Sequence, residues 1–301
     1  MPYRLKKRES VAEGVRRVVR EQIDRAVEEL ADAEMDRHEA VHQARKRFKK
    51  VRAVLRLVRN ELGDTYSEEN AWFRDTAREL SAVRDAEAAI ETFDRLQERF
   101  AGDADFEKLQ VVRDALEVRR ARIADTEVEL EGTVRGVVKG LKSARKRVKS
   151  WLLDTDGFEA VRTGLKKTYR RGCKALEAAY EDPSDEAFHE WRKRVKYQWY
   201  HVRILRGVWP RVMNARRKEL SHLADLLGWD HDCAVFDDLM NSDDEALADC
   251  RAETVGLSVL ARRRQEELRR EAEPLGRRVH AEAPGDYVAR LGAYWNAWRG
   301  D

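Results

Sequence analysis

The chain has 301 residues and a formal net charge of +3; charged residues make up 39% of it and prolines number only 5. That length holds one large or two medium domains, and a composition rich in Ala, Leu, Glu, Arg and Lys favours long amphipathic helices, so the expected class is all-α. No stretch approaches the roughly 18 to 20 uncharged residues of a membrane span, the start MPYRLKKRES leads into no apolar signal core, and Cys173, Cys233 and Cys250 lack CxxC spacing, which argues against a disulfide framework or zinc ribbon. A cytoplasmic protein with buried thiols is expected.

In chain order, helical periodicity is broken at 62–64, 101–103, 154–157, 181–184, 209–210, 241–244 and 283–286, where Gly, Pro or clustered Asp, Asn and Ser interrupt it. These breaks predict about eight helices. Asp182 and Pro183, followed by Asp185 and Glu186, read as a capping oxygen, a first-turn proline and carboxylates at the positive end of a helix dipole. Pro210 opens the next helix, and Pro274 kinks or divides the last helical run. Four helices per half is the pattern of an up-and-down bundle. The expected units are residues 1–153 and 157–301, packed on each other.

Residues 39–59 recur at 186–206 without a gap, with nine of 21 positions identical. The identities are Glu39, Ala40, His42, Arg45, Lys46, Arg47, Lys49, Arg56 and Arg59, matched by Glu186, Ala187, His189, Arg192, Lys193, Arg194, Lys196, Arg203 and Arg206. Solvent exposure alone does not require cations to recur in register, so the repeat points to an anion. The same shift pairs Ala77 with Ala224, Leu80 with Leu227 and Asp85 with Asp232; a shift of 146 pairs Glu13, Val15 and Arg16 with Glu159, Val161 and Arg162. Whole bundles are therefore expected to be duplicated.

The small net charge hides segregation. Windows 42–59, 135–149, 162–174 and 189–206 together carry +26 and the remainder −23, which favours a localised electropositive groove over general stickiness. At about 100° per residue, His42, Arg45, Lys46, Lys49, Arg52 and Arg56 share one helix face, with Ala44, Phe48, Val51, Leu55 and Val58 opposite. His189, Arg192, Lys193, Lys196 and Arg203 rebuild that stripe, Trp191, Val195, Val202 and Leu205 rebuild the apolar face, and Trp199 replaces Arg52. Crowded like charges destabilise each isolated helix, and a bound polyanion would relieve them. A third stripe, Arg135, Lys139, Lys142, Lys146 and Lys149, is expected to line the same groove, whereas Arg162, Lys166, Lys167, Arg170, Arg171 and Lys174 spread around their helix.

His38-Glu39-Ala40-Val41-His42 formally matches the zinc signature HExxH. The second copy has Asp185 in place of His38, Arg45 and Lys46 stand one turn away, and no third ligand is evident, so no metal is expected. Adjacent residues in Asp230-His231-Asp232-Cys233 diverge around a helix and do not converge on one ion. His42 and His189 either donate to phosphate oxygens or anchor their helices to a carboxylate such as Asp85 or Asp232. No phosphate-binding loop, nucleophile elbow or dinucleotide turn occurs, so no enzyme activity and no cofactor are expected.

HQARKRFKKVRAVLRLVR and HEWRKRVKYQWYHVRILR, followed by Arg84-Asp85 and His231-Asp232, resemble the two half-signatures of the CHAD family, the conserved-histidine α-helical domain, over roughly residues 5–299. The resemblance implies two four-helix bundles related by a pseudo-two-fold axis, and a basic central groove or pore that binds inorganic polyphosphate at polyphosphate granules. By motif position the ligand face would be His42, Arg45, Lys46, Lys49, Arg52 and Arg56 with His189, Arg192, Lys193, Lys196, Arg203 and Arg206. Many relatives are fused to a triphosphate tunnel domain; here such a partner, or another polyphosphate-metabolising enzyme, would be a separate protein. The alternative is single-stranded nucleic acid, with Trp191, Trp199 and Tyr200 stacking on bases.

Overall fold

A computed structural model describes the backbone of residues 3–80, 84–124 and 127–300, and their side chains other than those of 84–86, 123–124 and 127–130. Among the described residues there are eleven α-helices, two short 3-10 turns and no strand. The helices are α1 (Val11–Ala31), α2 (Arg37–Leu57), α3 (Asp64–Glu79), α4 (Arg84–Phe100), α5 (Phe106–Ala124), α6 (Glu127–Arg147), α7 (Glu159–Glu181), α8 (Asp185–Ile204), α9 (Pro210–Met240), α10 (Arg251–Val279) and α11 (Pro284–Gly300). The repeated segments are α1 and α2, which return as α7 and α8. The span that α3 and α4 cover in two pieces returns as the single 31-residue α9.

The helices among the described residues exceed the predicted eight: α1 ends at Ala31 and α3 at Glu79 with neither Gly nor Pro to mark the break, and residues 125–126, between α5 and α6, lie outside the described residues. The first is set by a cap: the Asp36 carboxylate accepts from the Glu39 backbone N–H at 2.9 Å and starts α2. α8 begins two residues later than Asp182 and Pro183 suggest, because the Ser184 hydroxyl accepts from Ala187 N–H at 3.2 Å, while Asp182 closes α7. Pro210 is the first residue of α9, where its missing N–H costs nothing, and α10 runs through Pro274 to Val279.

Two hydrophobic cores hold the helices, and both draw on both halves of the sequence. The larger gathers α1, α2, α3, α6, α7, α8 and α11 with the first part of α9 and the last part of α10; Phe48, Tyr169 and Trp191 are fully enclosed in it. The smaller joins Phe93, Leu96 and Phe100 of α4 and Leu116 of α5 to Phe236 of α9 and Leu257 of α10. Each such side chain contributes about 1.5 to 3 kcal/mol by leaving water. The halves therefore pack on each other.

The two basic helices are also tied directly. The His201 ring of α8 donates from Nε2 to the Ala53 carbonyl of α2 at 2.9 Å, fully buried. On the other side α7 crosses the end of α2 at Gly164, where a Cβ would fall 1.9 Å from the Leu57 carbonyl oxygen. Only glycine permits that approach. No helix among the described residues is long and apolar enough to cross a membrane.

Candidate anion-binding site

The apolar faces of α2 and α8 are buried as their spacing requires: Ala44, Phe48, Val51, Leu55 and Val58 on one, Trp191, Val195, Val202 and Leu205 on the other. Packing these faces turns the opposite faces outward, and because α2 packs on α8 the cations of the two copies meet.

Lys49 is at the centre. The protein around its ammonium thins the water there, and the charges of Arg192, Arg45, Lys196 and Lys46 add to that, pushing its pKa down to about 8. By area the side chain is still exposed, so the depressed group remains reachable. Lys196 is lowered by desolvation and then by Arg192, with Asp225 of α9 opposing and Arg203 and Lys46 adding to the fall. Glu190 holds Lys193 at 2.5 Å and also binds Arg194. Cations from two helices 147 residues apart thus share one patch.

Each end of the α2–α8 pair adds its own cations. At one end Arg56 is buried, with its guanidinium 4.0 Å from the centre of the Tyr197 ring, and Arg52 donates to Asn70 at 3.2 Å. Arg59, Arg171 and Arg194 gather beside it; burial, opposed by Tyr66, lowers Arg59, and Arg171 and Arg56 add to the fall. At the other end burial, then Arg47, Arg203 and Arg25, pushes Lys50 down to about 8. Arg203 lies 4.4 Å from the Trp199 ring centre, and Lys196 lies 5.0 Å from it. Arg206 and Arg217 adjoin Arg203. Trp199 in the Arg52 position therefore supplies a surface over which neighbouring cations lie. Trp191 and Tyr200 are buried and offer no face for stacking.

The histidines follow different paths in the two copies. His189 faces His231 of α9, Nδ1 to Nδ1 at 3.1 Å with ring centres 4.1 Å apart, so one ring donates and the other accepts. Burial and then its neighbour's charge push His189 down to about 4, and His231 falls to about 4 through burial and Arg192. Of the two roles the sequence offers His189, a phosphate donor or an anchor to a carboxylate such as Asp232, neither includes His231; Asp232 turns to Arg95 of α4 at 3.8 Å, Asp230 accepts from Arg269 at 2.7 Å, and Cys233 is buried. His42 lies with His38, Arg45, Glu87, Glu91 and Arg120 around a cavity of about 670 Å³. The side chains of Arg84 and Asp85 lie outside the described residues.

Lys139, Lys142, Lys146 and Lys149 are exposed; Lys139, Lys142 and Lys146 belong to α6, which packs on α1, and Lys149 follows it, whereas the charges that act on Lys49 most come from α2 and α8. Lys167 and Arg171 of α7, from the run that seemed scattered on its helix, do approach Arg59. Cys233 and Cys250 are buried, whereas Cys173 is only partly so. Among the described residues no group of three or more His, Cys, Asp or Glu is arranged to hold a metal ion.

The chain is all-α, and its two histidine-and-cation helices pack on each other. The CHAD domain matches residues 17–241, and the chain belongs to the CHAD family. A solved structure, PptA from Streptomyces chartreusis, is similar with a TM-score of 0.61 at 14% identity, over 88% of this chain and 98% of that one, which is a likeness of fold. None of the curated proteins matches the chain.

Proposed function

We propose that the protein binds inorganic polyphosphate without chemical turnover, in a basic groove formed where α2 and α8 face each other. The two copies, residues 1–153 and 157–301, act in this reading as one unit about a pseudo-two-fold axis, and the ligand residues are the paired stripes. One observation carries the proposal: Lys49 is surrounded by Arg45 and Lys46 from its own helix and Arg192 and Lys196 from the repeat. Such crowding disfavours the empty site, and a flexible polyanion would relieve it. Polyphosphate has about one charge per unit and no bases, so closely spaced Arg forks and Lys point charges suffice to follow it. The protein would then reside at cytoplasmic polyphosphate granules, and a separate triphosphate tunnel enzyme or polyphosphate-metabolising enzyme would act on the same polymer.

Competition tests this. Single-stranded DNA or RNA, at equal phosphate concentration, should fail to displace labelled polyphosphate, and displacement would turn the assignment toward nucleic acid. Six phosphate contacts, each releasing about 0.7 counterion, should also weaken binding about 10²- to 10³-fold between 50 and 200 mM salt. No phosphate release is expected with or without added divalent metal.

A further inference from the structure

We propose that Lys49 is a site of N-acylation by acyl phosphates: the surrounding cations of α2 and α8 hold the donor's phosphoryl dianion beside the Lys49 amine, which takes the acyl group. The inference rests on the cation patch itself and holds whichever polyanion is the physiological ligand.

Three features of Lys49 combine here. Its side chain is exposed, so a small donor can reach it. His231 on α9 is a titratable neighbour and Asp225 on α9 opposes at Lys196, but the charges that act on Lys49 most, Arg45 and Lys46 on α2 and Arg192 and Lys196 on α8, are all positive. They attract a dianion and at the same time disfavour the protonated amine, whose pKa is about 8. Electrostatic focusing of donor and release of the nucleophile's lone pair therefore coincide at one nitrogen. Lys139 and Lys142 are also exposed, on α6, whereas the charges that act on Lys49 most come from α2 and α8.

The chemistry balances without an oxidant or metal. The neutral Lys49 nitrogen attacks the acyl carbon and a C–N bond forms. The bond from that carbon to the bridging phosphate oxygen breaks, inorganic phosphate leaves with the electron pair, and the nitrogen's surplus proton passes to the phosphate or to water. The product is an amide, so the patch loses one positive charge and its hold on polyanions weakens. Arginine neighbours cannot react in this way, and the neighbouring lysines, Lys46 and Lys196, are less exposed than Lys49.

At pH 8 a lysine of pKa about 8 has about a hundred-fold more neutral amine than a solvated one, and its lower basicity takes back part of that, leaving an advantage of about ten-fold. The full chain is incubated with acetyl phosphate at pH 8 and low salt, and acetylation is followed at each lysine by quantitative mass spectrometry. Lys49 should be acetylated about ten-fold faster than Lys139 and Lys142, and tripolyphosphate should remove that preference by occupying the patch. Arg192→Gln should reduce the preference as well; if that variant does not fold, raising salt to 0.5 M in the wild-type protein gives the same reading through screening. Equal rates at Lys49 and Lys139, or a preference that tripolyphosphate leaves intact, would overturn the proposal.

Discussion

In the second half α9 passes α8 as one continuous helix, whereas the first half covers the corresponding span with α3 and α4, and the same arginine answers both situations. Arg192 lies along the α9 backbone, its Nε 3.6 Å from where a Gly228 Cβ would stand. Its counterpart Arg45 donates at 2.9 Å to the carbonyl of Leu80, the residue that closes α3, and so places positive charge at the negative end of that helix. His189 packs against His231 on the unbroken helix, while His42 lines a cavity. A duplicated face can thus keep its cations in register while the support behind each copy changes. The exchange continues at the ends, where Tyr197 and Trp199 in one copy stand at the positions of Lys50 and Arg52 in the other.

Acid should break this comparison most strongly, because His189, His201, His231 and His280 all belong to the second half and all have pKa values near 4. The unfolded chain takes up these protons near 6.5 and the folded chain only near 4, so stability falls as pH drops through that window. His201 and His280, both buried, should each cost about 3 kcal/mol by its lower end. Asp230, raised by burial to about 6, acts with the opposite sign and offsets one of them in part. Urea unfolding at pH 7 and pH 4.5, followed by circular dichroism, measures the difference; equal midpoints would refute it.

Reversing Lys49→Glu and Lys196→Glu together should lower polyphosphate affinity about 10²- to 10⁴-fold, since each charge-assisted contact contributes about 1.5 to 3 kcal/mol. Equal losses from the two single variants would mean equivalent tracks, and a smaller loss for one would locate the asymmetry. Raising the pH from 7 to 9 should weaken binding about ten-fold, because a lysine of pKa near 8 must regain its proton to meet the polyanion. Calorimetry in buffers of different ionisation enthalpy would detect that uptake. The smallest effect falls on the helix-end bond of α3: Arg45→Gln should cost about 1 kcal/mol of stability through its loss. Thermal melts would decide, and an unchanged midpoint would refute it.

Much of this was legible in the sequence. The split of α2 and α8 into a cationic and an apolar face follows from periodicity alone, because the packing of Phe48 or Trp191 dictates where Lys49 or Lys196 must point. The interruption after Glu79 was not legible, since Leu80 and the residues after it carry no helix breaker. The α8 cap lies two residues beyond the one the sequence points to, because Asp182 and Ser184 both offer a capping oxygen. The His189–His231 pair escaped notice because its members lie 42 positions apart on different helices and each has a nearer-looking carboxylate. The cations of α6 repeat at threes and fours as those of α2 do, and the packing of α6 on α1 is a tertiary feature that spacing does not reveal. The nearness of Lys167 and Arg171 to Arg59 arises from a helix crossing that no wheel describes.

Gly164 sets a dimension. Because α7 meets the end of α2 backbone to backbone, with Arg56 and Leu57 carbonyls where a side chain would begin, the offset between those two helices is fixed by main-chain thickness. α8 packs on both α2 and α7, so the same thickness enters its position as well. Side chains along the two stripes can be exchanged, as Arg52 and Trp199 show, without altering that distance. The molecule is built to a gauge, and the gauge is a single missing methyl group.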